Sequence, residues 1–213
     1  MYHCTPIKFI PITMNKEILL DVREKGIIKI SLENYIEFVD DYFLDLLGYQ
    51  LTDFVTKPPK TVCHPDMPDI VHQTIGGYIM NRREGIAVLK HATREGDYIW
   101  AFTYYMPRYK PDGSFEAFVT YRKPIPDKKI NGQAESLKNT ITRLYVILKD
   151  LEIHSGVEVA SKYLNGFLED RGLKSLDEYY LQFFNFNKSE LEKYFTIDER
   201  TSNSVIRKYL SGF

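Results

Sequence analysis

The chain has 213 residues, a formal net charge of −1, 44% hydrophobic and 27% charged residues. Those values fit one generous domain, or a small domain with an appendage, and exclude wholesale disorder. The near-neutral charge gives no electrostatic ground for binding nucleic acid or a membrane surface, and no apolar run approaches the roughly 20 residues of a membrane span.

The first residues, Met1-Tyr2-His3-Cys4-Thr5-Pro6, lack the basic-then-apolar layout of a secretory signal. Cys4 and Cys63 lie far apart and outside any CxxC spacing, which argues against a disulfide framework or a zinc site. A cytoplasmic protein is expected. Its 16 Tyr and 13 Phe suit the lining of cavities and interfaces.

After an N-terminal extension, residues 1–24, the text turns β-rich. Gly26-Ile27-Ile28-Lys29-Ile30-Ser31-Leu32 and Tyr35-Ile36-Glu37-Phe38-Val39 alternate as two strands joined at Glu33-Asn34. Phe43-Leu44-Asp45-Leu46-Leu47 then reads as a short helix stopped by Gly48. Pro65 or Pro68 opens a longer helix through Ile70, Val71, Ile75 and Ile79. Three strands follow, over residues 86–91, 98–106 and 115–121. They are separated by Arg94-Glu95-Gly96-Asp97 and Lys110-Pro111-Asp112-Gly113, both tight-turn compositions. Residues 25–124 thus read as an α+β unit, a five-stranded antiparallel sheet with helices on one face enclosing a pocket.

Pro124-Ile125-Pro126 excludes helix and central strand, so it marks the boundary with an all-α region, residues 125–213. A connecting or dimerisation helix is expected over about residues 130–153. There Leu137, Ile141, Leu144, Leu148 and Leu151 recur at intervals of four and three. Packing against the chain's own domain explains that rhythm nearly as well as a homodimer. Four capping boxes are read beyond it: Ser155…Glu158, Ser175…Glu178, Asn187…Glu190 and Thr196…Glu199. Gly172 stops the helix that carries Ala160, Leu164 and Leu168.

The most specific string is Cys63-His64-Pro65-Asp66-Met67-Pro68. It resembles the HPDMP motif in the PAS domain of bacterial aerotaxis receptors. Asn34-Tyr35-Ile36, Asp41-Tyr42-Phe43, Gly48-Tyr49 and Gly96-Asp97-Tyr98-Ile99-Trp100 keep the family's order and spacing, so the resemblance spans residues 27–123. It implies a PAS fold, a sensor of redox state and FAD as the cofactor. The family's motif Arg, His and Asp are associated with FAD. Here His64 and Asp66 remain, Cys63 replaces the Arg, Gly76 stands where the family has Trp, and His91 lies near a family Asn. The missing guanidinium would have suited a flavin pyrophosphate.

Haem is the second cofactor reading. His72 resembles the axial histidine of haem-binding PAS domains of oxygen-sensing kinases, and a neutral imidazole on an apolar wall is what haem iron requires. Each candidate has a plainer role. His64 and Asp66 are placed to cap the helix opened by Pro65. His72 reads more readily as a partly exposed helix residue than as an iron ligand, and His91 alternates toward pocket or solvent. Trp100 shares a strand face with Phe102 and Tyr104, as core or as a stacking wall. Gly76-Gly77 marks a helix break or room for a flat ligand.

No GxSxG, HExxH, P-loop or GxGxxG string occurs, so no enzyme is expected. The reading is a cytosolic PAS sensor that binds a small ligand or redox cofactor and signals to a separate, chemoreceptor-like protein. The alternative is a cofactor-free interaction or dimerisation module.

Overall fold

The computed structural model describes residues 16–126 and 137–195. Cys4, the start of the expected connecting helix and the Thr196…Glu199 box lie outside them.

Five strands form one antiparallel sheet: β1 (Gly26–Ile30), β2 (Ile36–Val39), β3 (Gly85–Ala92), β4 (Tyr98–Tyr109) and β5 (Phe115–Lys123). Their spatial order is β2-β1-β5-β4-β3. Between β2 and β3 run α1 (Asp41–Leu47), two short 3₁₀ turns and α2 (Asp69–Met80). Gly48 ends α1 as anticipated, in the left-handed region at φ 72° that glycine enters without cost. Elsewhere glycine allows close approach. A Cβ on Gly85 would lie 2.3 Å from the Tyr78 ring, and one on Gly26 would lie 2.6 Å from Phe43.

Because side chains alternate along a strand, the register sorts the sheet into two faces. Thr103 is paired with Arg122, Tyr105 with Thr120, and Thr120 with Ile28, so these share the inner face with His91 and Leu89. There α1 and α2 pack, Phe43 against His91 and Arg122, and Tyr78 against Tyr105. Trp100, Phe102, Tyr104 and Tyr121 point to the outer face.

The outer face is covered by the chain itself. Four helices follow β5: α3 (Leu137–Ser155), α4 (Val157–Glu169), α5 (Leu176–Phe184) and α6 (Lys188–Phe195). Phe102 meets the rings of Phe184, Phe186, Tyr194 and Phe195, while Trp100 meets Tyr145. Ile141, Leu144 and Leu148 are buried in the same core as the sheet, so the leucine rhythm of α3 is used within the chain. Helices therefore lie on both faces, those expected on one and the C-terminal region on the other. An exposed face of Trp, Phe and Tyr would carry a large hydrophobic penalty, which explains the cover.

Two capping boxes form close to the sequence reading. Asn187 and Glu190 exchange bonds of 3.0 and 2.8 Å, and Ser175 accepts from the Glu178 amide. Ser155…Glu158 does not form, because α3 runs on through Ser155 and Gly156 occupies the cap of α4.

The free edge of β3 is also closed. Its outward carbonyls accept from the Tyr78 hydroxyl at Ile86, the Tyr145 hydroxyl at Val88, and the His64 amide at Lys90. An unpaired edge invites intermolecular strand pairing, and here three bonds occupy it.

Candidate functional site

The inner face carries a cluster of polar atoms without partners. His91 Nε2, Thr103 Oγ1 and Arg122 Nε are buried and make no hydrogen bond. Two similar atoms, Thr93 Oγ1 and Arg108 Nε, lie at the ends of β3 and β4. An orphaned buried polar group costs about 1–3 kcal/mol, so three on one face mark it as the candidate binding surface.

Their chemistry is specific. Arg122 donates one N–H to Thr120 Oγ1 at 2.7 Å, and its guanidinium lies 5.2 Å from the Phe43 ring centre. His91 meets the same ring edge-on, with centroids 5.4 Å apart. The His91 Nδ1 lies 3.1 Å from the Val62 carbonyl, which can only accept. Burial, with the Arg122 charge nearby, pushes the His91 pKa down to about 3, so the ring is neutral. Nδ1 therefore carries the proton and Nε2 presents a lone pair. The cluster offers a donor at Arg122, an acceptor at His91 and a hydroxyl of either sense at Thr103.

Cys63 joins this region through a bridge to His91, and burial pushes its thiol up to about 12, which keeps it protonated. His72 is half-buried on α2, with burial and the Lys60 charge pushing its pKa down to about 4. Its imidazole is neutral, the form an iron ligand needs. Gly76 does not break α2, and a Cβ there would meet nothing within 4 Å, so the space next to that turn is open.

The remaining candidates lie elsewhere. Asp66 is bound 2.8 Å from Lys90 Nζ, and Lys90 stands over the Tyr98 ring. His64 accepts from the Asp66 amide and meets Tyr98 edge-on. Lys90 and Tyr98 are outer-face residues by register, so His64 and Asp66 are held away from the inner cluster. Trp100 is on the outer face against α3. The structure thus brings Cys63, His91 and the flank of α2 together, and it separates His64, Asp66 and Trp100 from them.

Neither motif residue caps α2. The helix starts after Pro68, and its first amides, on Asp69 and Ile70, both donate to the Glu152 carboxylate of α3 at 2.8 Å. That side chain is 4% exposed. Lys149, one turn earlier, donates to the Met67 carbonyl at 3.2 Å. At the other end of α2, the single Tyr78 hydroxyl proton is shared between the Ile86 carbonyl and Asp177 of α5, which also pairs with Arg83. A helix that walls the inner face is therefore held at both ends by the C-terminal region. Arg122, Thr103 and Glu152 carried no motif. Only the inward register of β4 and β5 exposes the first two, and nothing local marks Glu152.

A flavin can be tested against this donor set. The pyrimidine edge of isoalloxazine alternates acceptor, donor and acceptor, which matches Arg122 Nε–H, His91 Nε2 and the Thr103 hydroxyl. The types of donor and acceptor suit that edge, but the register places only Arg122 and Thr103 side by side, with His91 four residues along from Thr103's partner Ala87. Among the described residues, no group of three or more His, Cys, Asp or Glu is placed to hold a metal ion.

The family model described as the PAS fold matches residues 36–122. The aerotaxis receptor of Escherichia coli K12 is 24% identical over 100 residues, covering 47% of this chain and 20% of that protein. The match thus spans about a fifth of the receptor's length. The light-state dimer of the fungal blue-light photoreceptor Vivid aligns at a TM-score of 0.42 and 15% identity, covering 46% of this chain and 76% of that one. The PAS domain of the fruit-fly ELK potassium channel aligns at 0.44 and 21%, covering 47% and 86%. Residues 36–122 are a PAS-fold domain, set in a five-stranded sheet and continued by a C-terminal helical region.

Proposed function

We propose that the chain is a non-catalytic sensor whose PAS interior binds a small ligand and whose C-terminal helices report occupancy to a separate signalling protein. One observation carries the reading. The wall of the polar cluster, α2, is the same helix whose two ends are bound by Glu152 of α3 and Asp177 of α5. An occupant that favours one position of α2 shifts the helical region only through differential affinity for two arrangements.

FAD is the favoured occupant, on the resemblance and on the donor set. Arg122 and Thr103, paired across β5 and β4, would meet its ring edge, His91 would meet another polar group of the same ligand, and the open flank at His72 and Gly76 would admit it. When bound, a flavin supplies two-electron redox chemistry, and the protein's part is orientation and electrostatics. Haem is the second reading, carried by the neutral imidazole of His72. The output partner is a chemoreceptor-like protein or a second copy of the chain.

The visible spectrum of the purified protein, alone and after incubation with FAD or haemin, tests this. Retained absorbance near 450 nm that is lost in Thr103→Val with His91→Leu supports flavin, and a Soret band lost in His72→Ala supports haem (typical chromophore bands, roughly, tuned by the protein). A protein that stays colourless with both overturns the cofactor reading and leaves the interaction module.

A further inference from the structure

Arg122 is 1% exposed, yet among the described residues no carboxylate lies within 4.0 Å of its guanidinium. Its contacts are Thr120 Oγ1 and the face of Phe43, with Nε free. Arginine stays charged at any working pH, so a full positive charge is buried without an ion-pair partner. The penalty for such a group is several kcal/mol, far above that of an orphaned hydroxyl.

The groups around it do not neutralise it. His91 is neutral with a lone pair outward, and the Cys63 thiol and Tyr105 phenol are held protonated, chiefly by burial. The one carboxylate that feels the charge is Asp40, at the β2–α1 junction. It is beyond ion-pair reach, is bound at 2.7 Å to the Ile27 amide, and is itself pushed up to about 6 by burial. Lys60 and His72 add no negative charge. Apolar residues would fill this position at lower cost, so the charge is there for something that is not part of the chain.

We infer that Arg122 is the anion-binding residue of the PAS interior, and that the ligand presents an anionic acceptor edge to it between Phe43 and Thr103. This deepens the sensor reading and rests on it. The guanidinium fork suits a planar group with two acceptor atoms. Two sources share that chemistry: a small carboxylic acid, or the deprotonated ring of a reduced flavin. Next to it His91 Nε2 accepts from an N–H or O–H of the same ligand. The guanidinium absent at Cys63 has a counterpart on β5, whose charge acts on the Cys63 thiol.

The test uses the full chain and Arg122→Met, with three probes: citrate, oxidised FAD and dithionite-reduced FAD under anaerobic conditions. Without any probe, Arg122→Met melts at the same temperature as the parent or higher, because an uncompensated charge is gone. A drop of several degrees would mean that the charge is structural and overturns the assignment. If that variant fails to fold, Arg122→Lys keeps the charge without the fork, and its binding weakens while its melting temperature holds. Citrate that raises the parent's melting point but not the variant's supports the site with a carboxylate source. Reduced FAD binding at least about tenfold tighter than oxidised FAD, a preference worth about 30 mV and lost in Arg122→Met, supports it with a flavin source. Equal binding of both FAD forms to parent and variant overturns the anion site and leaves the sensor standing. Binding of no probe overturns both.

Discussion

On the outer face of the sheet, Trp100, Phe102 and Tyr104 are roofed by rings from α3, α5 and α6, and the buried hydroxyl of Tyr145 ends on the Val88 carbonyl of β3. On the inner face, equally buried positions hold His91, Thr103 and Arg122 with polar atoms that reach nothing. The same strands supply both sets, one residue apart. The difference separates structure from function. Where the chain had only to fold, polar atoms are satisfied and apolar rings interlock. Where it leaves donors and acceptors open, it tolerates a cost that the proposed ligand would remove.

If the outer face is structural, damage there is expensive. Phe102 touches four rings, and Phe102→Ala should lower stability by about 3–5 kcal/mol through lost burial and a residual cavity. Urea denaturation measures it, with the slope unchanged if the fold persists. A loss below about 1 kcal/mol would mean that the C-terminal helices sit loosely on the sheet.

The joint between the two faces comes next. Glu152→Ala strips the α2 amides of Asp69 and Ile70 of a buried charged acceptor and leaves Lys149 with only the Met67 carbonyl, a loss of about 2–3 kcal/mol. Hydrogen exchange should accelerate first at those two amides, and only later in the strands. Uniform acceleration would mean that Glu152 supports the whole molecule and not the joint.

The comparison also predicts how the protein responds to acid. His91 and His72 are pushed down to about 3 and 4, mainly by burial, against about 6.5 for a free imidazole. The unfolded chain therefore takes up these protons first. Their contribution is fully present above about pH 6.5 and is lost as the pH falls toward 4 and then 3, at about 1.4 kcal/mol per pH unit for each. Asp40 works the other way: raised by burial to about 6, it adds stability as the pH falls from there toward 4. These three groups alone leave a net loss of about 1.4 kcal/mol per unit between pH 6 and 4.5, and His64, also lowered by burial, adds to it in the same direction. His91→Asn should flatten that slope, since it removes one of the depressed imidazoles from the balance. A slope unchanged by the variant would place the acid sensitivity elsewhere.

Much of this was legible before any coordinates. The strands, the Gly48 stop and the sharing of one face by Trp100, Phe102 and Tyr104 follow from period-two patterning and turn chemistry, which are local signals. The roles of His64 and Asp66 were not. They look like ligand contacts because the motif is read as a string, but Lys90 and Tyr98, more than twenty residues away, draw them to the outside. Arg122 ends a strand with no motif around it, and only the pairing with Thr103 shows that it points inward. Glu152 reads as one more helix charge until α3 docks on α2. Site residues contributed across strands leave no trace in a linear pattern.

The smallest effect is the sharpest divide between the faces, because it changes sign. Thr103 is fully buried, its hydroxyl has no partner, and valine has nearly the same shape. On the outer face a loss of polar contact, as in Tyr145→Phe, frees the Val88 carbonyl and destabilises by about 1 kcal/mol. On the inner face Thr103→Val removes only an unmet desolvation cost. The ligand-free protein should therefore gain up to about 1 kcal/mol, an increase in melting temperature of a few degrees at most. The gain belongs to the empty state, so it should shrink or reverse when the protein is saturated with whichever probe binds. Equal destabilisation with and without ligand would show that Thr103 has a structural partner, and the two faces would then differ in composition but not in purpose.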